Sequence, residues 1–134
     1  MLYLVLDIRI MKKTINPKKS ANPIGPYSHA ILLNKTLYSS GQIGLNKDGV
    51  LITQNIESET FQVMKNIENI LIEANMKFDN IIKTTIFLKD LNNFEKINNV
   101  YSKYFNKSKP ARETVEVARL PRDANIEISF IAVL

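Results

Sequence analysis

Between residues 57 and 76 the apolar side chains Phe61, Met64, Ile67, Leu71 and Ala74 recur at helical spacing, and Ile70 widens the same face. A helix with one apolar stripe must lay it against a second layer. Glu57 and Glu59 stand near its start, where negative charge suits the helix dipole. The next segment supplies the second layer. Residues 79–90 include Ile81, Ile82, Thr84, Thr85, Ile86, Phe87 and Leu88, a β-branched composition suited to a central strand.

The same reading extends in both directions. Residues 12–16, 27–34 and 36–42 read as strands, with Asn34-Lys35 as a tight turn between the second and third. Lys47-Asp48-Gly49 signals another turn. A second helix fits residues 93–105, with Phe94, Ile97, Tyr101, Tyr104 and Phe105 on one face and Asn92 or Asn93 as its cap. The segment from Lys109 to Arg122 opens with Pro110, which favours an extended entry. It continues through Thr114, Val115 and Val117 as a strand, and Pro121 stops it. Asp123-Ala124-Asn125 makes a turn, and residues 126–134 form the last strand. The order predicts an α+β single domain, a mixed six-stranded sheet with two helices on one face.

Composition narrows the chemistry. The 134 residues include no cysteine and one histidine, His29, which excludes disulfides, thiolate nucleophiles, zinc–thiolate centres and multi-histidine metal sites. A net charge of +5 permits weak attraction to anions, yet the densest basic runs are the pairs Lys12-Lys13 and Lys18-Lys19. An RNA binder would need a continuous basic surface. No apolar run reaches the ~18 residues that span a bilayer. Residues 1–10 are a short apolar run ahead of Met11, without the basic start or small-residue cleavage site of a signal peptide. They are read as an extension of unknown role, and residues 11–134 as the domain. A start-site extension, an edge strand and a targeting remnant all remain open for them.

Several polar positions exceed what a core needs. Arg112 sits on a segment stiffened by Pro110, well placed to fork onto a carboxylate or phosphate, or else solvated beside Glu113. The rigid corner Gly25-Pro26-Tyr27 delivers a tyrosine to the start of a strand, where it serves either a ligand or the core edge. Ser39-Ser40-Gly41-Gln42 ends another strand with small residues that admit a ligand to the backbone, or simply a bend. Period-2 alternation puts Glu127, Ser129 and Ile131 on one face of the last strand, so Glu127 is an outer-face charge or a general base. Asn98 interrupts the apolar side of the second helix.

Taken together and in order, Gly25-Pro-Tyr27, Ser39-Ser-Gly-Gln42, Phe87-Leu-Lys-Asp-Leu91, Pro110-Ala-Arg112, Val115-Glu-Val-Ala-Arg-Leu-Pro121 and Ile126-Glu-Ile128 closely resemble the Rid family of YjgF-type enamine/imine deaminases, from about Met11 onward. The resemblance implies a fold like that of trimeric chorismate mutase. It also implies a homotrimer with sites at the subunit clefts, so that Tyr27 and Arg112 come from different chains. It gives Arg112 the substrate carboxylate and Glu127 the attacking water, and it matches Tyr27 to an active-site polar position, so that Tyr27 or a water would supply the proton. Ser40, Gly41 and Asn98 match substrate-binding positions. Thr114 stands where cysteine is common and would contribute its backbone N–H, while Ser129 replaces a common acidic residue at the periphery.

The activity so implied is hydrolysis of 2-imino acids such as 2-iminobutanoate and 2-iminopropanoate, or their enamine tautomers, to 2-keto acids and ammonia. No cofactor or metal is expected, nor a membrane partner, and the location expected is cytoplasmic. Family members described as endoribonucleases or translation inhibitors supply the alternative of an RNA-binding protein. A further alternative is a non-catalytic module that binds small carboxylates.

Overall fold

The computed structural model describes residues 9–134. The sequence expectation for residues 1–10 therefore lies largely outside the described residues. Along the chain run β1 (Lys12–Ile15), β2 (Ala30–Leu33), β3 (Thr36–Ser39), α1 (Ile56–Glu73), β4 (Ile81–Leu88), α2 (Phe94–Tyr101), β5 (Ala111–Glu116) and β6 (Ile126–Val133). The six strands form one mixed sheet in the order β1-β2-β3-β6-β4-β5. Every pairing is antiparallel except β4 with β5, which α2 connects as a crossover.

Strict alternation in β6 sends Ile126, Ile128, Phe130 and Ala132 inward and leaves Glu127, Ser129 and Ile131 on the outer face. From β4, Thr84, Ile86 and Leu88 join the inner layer, which packs against Val63, Met64, Ile67, Ile70 and Leu71 of α1 and Ile97 and Tyr101 of α2. Burying each of these larger aliphatic side chains contributes roughly 1.5–3 kcal/mol. Both helices cover that one face. Asn55 caps α1 by accepting from Ser58 N at 2.8 Å. No helix among the described residues is long and apolar enough to cross a membrane.

Four local expectations are corrected in whole or in part. Phe61 is 56% exposed rather than part of the α1 core face, because Thr60, Val63, Ile67 and Leu71 define a stripe that Phe61 flanks. The second helix stops at Tyr101 instead of running to residue 105. Tyr104 and Phe105 still pack, however, with Phe78 lying 5.0 Å from Tyr104 and 5.6 Å from Phe105 between ring centroids. Asn93 holds the N-cap position of α2 as expected but makes no side-chain cap bond; Asp90 caps the preceding 3-10 turn Leu91–Asn93 through Asn92 N. The turn before β6 is tighter than the sequence suggests. It is a 3-10 turn, Pro121–Asp123, in which Arg122 and Asp123 both take left-handed backbone angles (φ 58° and 56°).

Candidate functional site

The sequence-derived residues fall into two groups, and the sheet separates them. Arg112 pairs with Thr84 across β5 and β4, so it shares the helix-covered side. Glu127 pairs with Phe87 across β6 and β4 and so stands on the open side. Each group borders its own cavity, one of about 500 Å³ beside Tyr27, Ser40, Gly41 and Glu127, the other of about 290 Å³ beside Asn98 and Arg112.

In the larger cavity, geometry begins at the end of β3. Gln42 exchanges two backbone hydrogen bonds with Ile128, at 2.8 and 3.0 Å, and this lays Gly41 directly beside Glu127. A Cβ on residue 41 would collide with the Glu127 side chain, which would have to move away from its present place. Glu127 is half-buried and accepts no hydrogen bond from the described residues, and its desolvation raises its pKa. A carboxylate held this way is a better base than an ordinary surface glutamate.

The remaining groups there are partly committed already. Ser40 donates its hydroxyl to Ser28 O at 2.7 Å, which leaves the oxygen able to accept but not to donate. The Tyr27 hydroxyl accepts from Ile24 N at 3.2 Å and so keeps its proton for another acceptor. Gly25, at φ 141°, turns the chain so that Tyr27 can reach back in this way. His29 Nε2 lies 2.7 Å from Ala21 O, which puts the ring proton there and leaves Nδ1 to accept from Gln42 at 3.4 Å. His29 is thus a strut between the loop at Ala21 and Gln42.

The smaller cavity is built by α2. Phe94, Asn98 and Tyr101 follow each other at i, i+4 and i+7 and converge on Arg112. Arg112 Nη1 donates to Asn98 Oδ1 at 2.8 Å, while its guanidinium carbon lies 5.5 Å from the Phe94 ring centre and 5.0 Å from that of Tyr101. Stacking occupies the faces of the guanidinium and leaves the other edge donors open. The Tyr101 hydroxyl meets Thr84 Oγ1 at 2.8 Å. Burial raises its pKa against the opposing effects of Thr84 and Arg112, so the ring stays neutral under the cation. The reading of Arg112 as a solvated arginine beside Glu113 does not hold. Glu113 pairs instead with Lys83.

Thr114 borders neither cavity, and its buried hydroxyl has no partner among the described residues. Sequence reasoning passed over Phe94 and Tyr101 as site residues because their spacing is also that of a core face. Gln42 closes the Ser39-Ser40-Gly41 motif but was not singled out from it, and Arg122, at the end of the Lys109–Arg122 segment, gave even less signal. Among the described residues no cluster of histidine, aspartate or glutamate could hold a metal ion.

Comparison with known proteins agrees with the fold. A family model described as Endoribonuclease L-PSP matches residues 17–134. A RutC family protein of Pyrococcus horikoshii is 46% identical over 123 residues, covering 91% of this chain and 98% of its own. The 2-iminobutanoate/2-iminopropanoate deaminase of Mus musculus is 42% identical over 125 residues, covering 92% and 91%. In three dimensions, the Rid protein family member YyfA of Yersinia pestis superposes with a TM-score of 0.89 at 46% identity, over 92% of this chain and all of its own.

Proposed function

The chain belongs to the Endoribonuclease L-PSP family, the Rid/YjgF group, and from that premise we propose that it hydrolyses 2-imino acids and their enamine tautomers to 2-keto acids and ammonia. The observation that carries this reading is the pairing of one stacked arginine with one desolvated, unbonded glutamate. The mouse relative's name adds support from outside the geometry.

Arg112 would take the substrate carboxylate through its free edge donors. Each charge-assisted bond contributes roughly 1.5–3 kcal/mol. Glu127 would accept a proton from water as the water oxygen adds to the imine carbon, giving a carbinolamine. Glu127, directly or through Tyr27, would pass that proton to the amino nitrogen and take the hydroxyl proton as the C=O bond forms and the C–N bond breaks; ammonia leaves and carries that last proton away as ammonium. Protonated iminium is already electrophilic, so orientation and one general base suffice. An enamine first needs a proton at its β-carbon, for which the free Tyr27 O–H is suited.

Because Arg112 and Glu127 border separate cavities, the proposed site is completed between copies of the chain. The open sheet face carries Ile31, Tyr38 and Ile131 in register across three strands, with Tyr38 48% exposed. An apolar band of this kind suits a second copy. A homotrimer would bring the Arg112 half of one subunit to the Glu127 half of the next.

The test generates 2-iminopropanoate in situ, traps surviving imine with semicarbazide, and compares wild type with Arg112→Ala. Loss of trapped product with wild type only is the expected result. If wild type leaves trapping unchanged while still binding 2-oxobutanoate, a carboxylate-binding module replaces the enzyme. The family model's description favours an RNA reading as well. Salt-dependent RNA binding or cleavage without imine hydrolysis would establish it instead.

A further inference from the structure

Glu59, in the first turn of α1, is fully buried. Its two carboxylate oxygens serve a single residue: Oε1 accepts Asn125 N and Oε2 accepts Asn125 Nδ2, both at 2.8 Å. No lysine or arginine pairs with it among the described residues. A buried carboxylate without a counter-ion is unfavourable unless its oxygens are hydrogen-bonded, and the helix N-terminus supplies only part of the compensation. A glutamine would be easier to bury, yet it presents one acceptor oxygen and would turn its NH2 toward that of Asn125. With the Asn125 amide in its present orientation, only a carboxylate accepts from both donors.

Asn125 is gripped from the other side too, since its carbonyl accepts Lys89 N at 3.0 Å at the end of β4. Gly44 packs against the same carboxylate side chain, where a Cβ would come within 2.9 Å of Glu59 Cγ. Just before Asn125 lies the left-handed pair Arg122 and Asp123, and Pro121 and Arg122 wall the larger cavity. Just after it, two residues along the strand, comes Glu127. Such a step spans about 6–7 Å of extended chain, with little slack to absorb a shift.

We infer that Glu59 is a positioning residue: by clamping Asn125 it fixes the start of β6, and with it the place of the Glu127 carboxylate over Gly41 and against the Pro121–Arg122 wall. The catalytic part of this inference rests on the deaminase reading, whereas the effect on Glu127 does not.

The test compares Asn125→Asp, Glu59→Gln and the double variant, using the full chain. Asn125→Asp sets two carboxylates face to face. It should lower kcat per folded protein about 10- to 100-fold by displacing the base. KM should change less than about twofold, because the Arg112 half is untouched. Glu59→Gln keeps the backbone bond and should lose less. In the double variant the amide introduced at position 59 donates to the carboxylate introduced at position 125. The side-chain bond is thereby reversed but kept, and kcat should return to within about threefold of wild type. A merely structural role predicts a lower melting temperature with kcat per folded protein unchanged, and that result overturns the inference, as does failure of the double variant to recover.

A second readout needs no turnover. The Glu127 carboxyl, titrated by 13C NMR in the cavity it shares with Tyr27, His29 and Arg122, should shift toward the ordinary glutamate range in Asn125→Asp and return in the double variant. An unchanged titration overturns the inference. Wild type inert toward imines would sink the deaminase reading alone, leaving this measurement intact.

Discussion

Arg112 and Glu127 lie on opposite faces of one sheet, and the surrounding chain treats them in opposite ways. Arg112 is enclosed by contacts that favour its charge: two aromatic rings over the guanidinium and the Asn98 carbonyl oxygen at its edge, all from one face of α2. Glu127 is given room by the missing side chain of Gly41 and no hydrogen bond, and its desolvation disfavours its charge. Binding a carboxylate calls for a cation that is already in place. Attacking with water calls for a base that gains by taking a proton. The two environments match those two tasks, and their separation is why one chain does not by itself bring them together.

The sharpest break of this contrast removes each half in turn. Glu127→Gln should lower kcat on the order of 10²- to 10⁴-fold, the range for loss of a positioned general base, as measured by single-turnover imine loss. Arg112→Ala should lower kcat/KM on the order of 10²-fold, mostly through KM, when two charge-assisted bonds go. Mixing the two inactive variants and reassembling them should restore roughly a quarter of wild-type activity, if sites form between neighbours that mix at random around a closed ring. No recovery in a mixture shown to exchange subunits would mean that both groups act within one chain.

Smaller effects refine the picture. Gly41→Ala should destabilise by about 1–3 kcal/mol through overpacking against Glu127, read from the denaturant midpoint. Tyr101→Leu should raise KM about two- to fivefold with kcat nearly intact, the loss of one cation–π contact. Stability should respond to pH through Glu127. Its folded pKa is raised above the ordinary 4.5, so the native state holds the proton more tightly. That penalty is absent below 4.5 and grows as pH rises through the folded value. Glu127→Gln should therefore melt higher than wild type at neutral pH, with the gap closing in acid. A gap that is constant with pH would show that the carboxyl is not desolvated.

The fold was largely legible because its elements are periodic. The β6 alternation placed Glu127 on the right face, and the β-branched run at residues 81–88 is a central strand. Reading failed where one spacing serves two ends. Phe94 and Tyr101 repeat like core residues yet face a cation, and Phe61 sits one position off the buried stripe. What the sequence could not carry was partnership across distance. Nothing near Glu59 announces Asn125, 66 residues away, and nothing near Gly41 announces the carboxylate that a side chain there would displace.

The strand order has a consequence for synthesis. Of the six strands, β6 is the last along the chain, and it is also the one that pairs with both β3 and β4. Until it is made, no strand can join β1 to β3 with β4 and β5 in one sheet. Domains generally fold as units during translation, at about 5–20 residues per second, and here the seam closes only once β6 is available. Glu127 rides on that closing strand, so the candidate base reaches its place only when the sheet is whole.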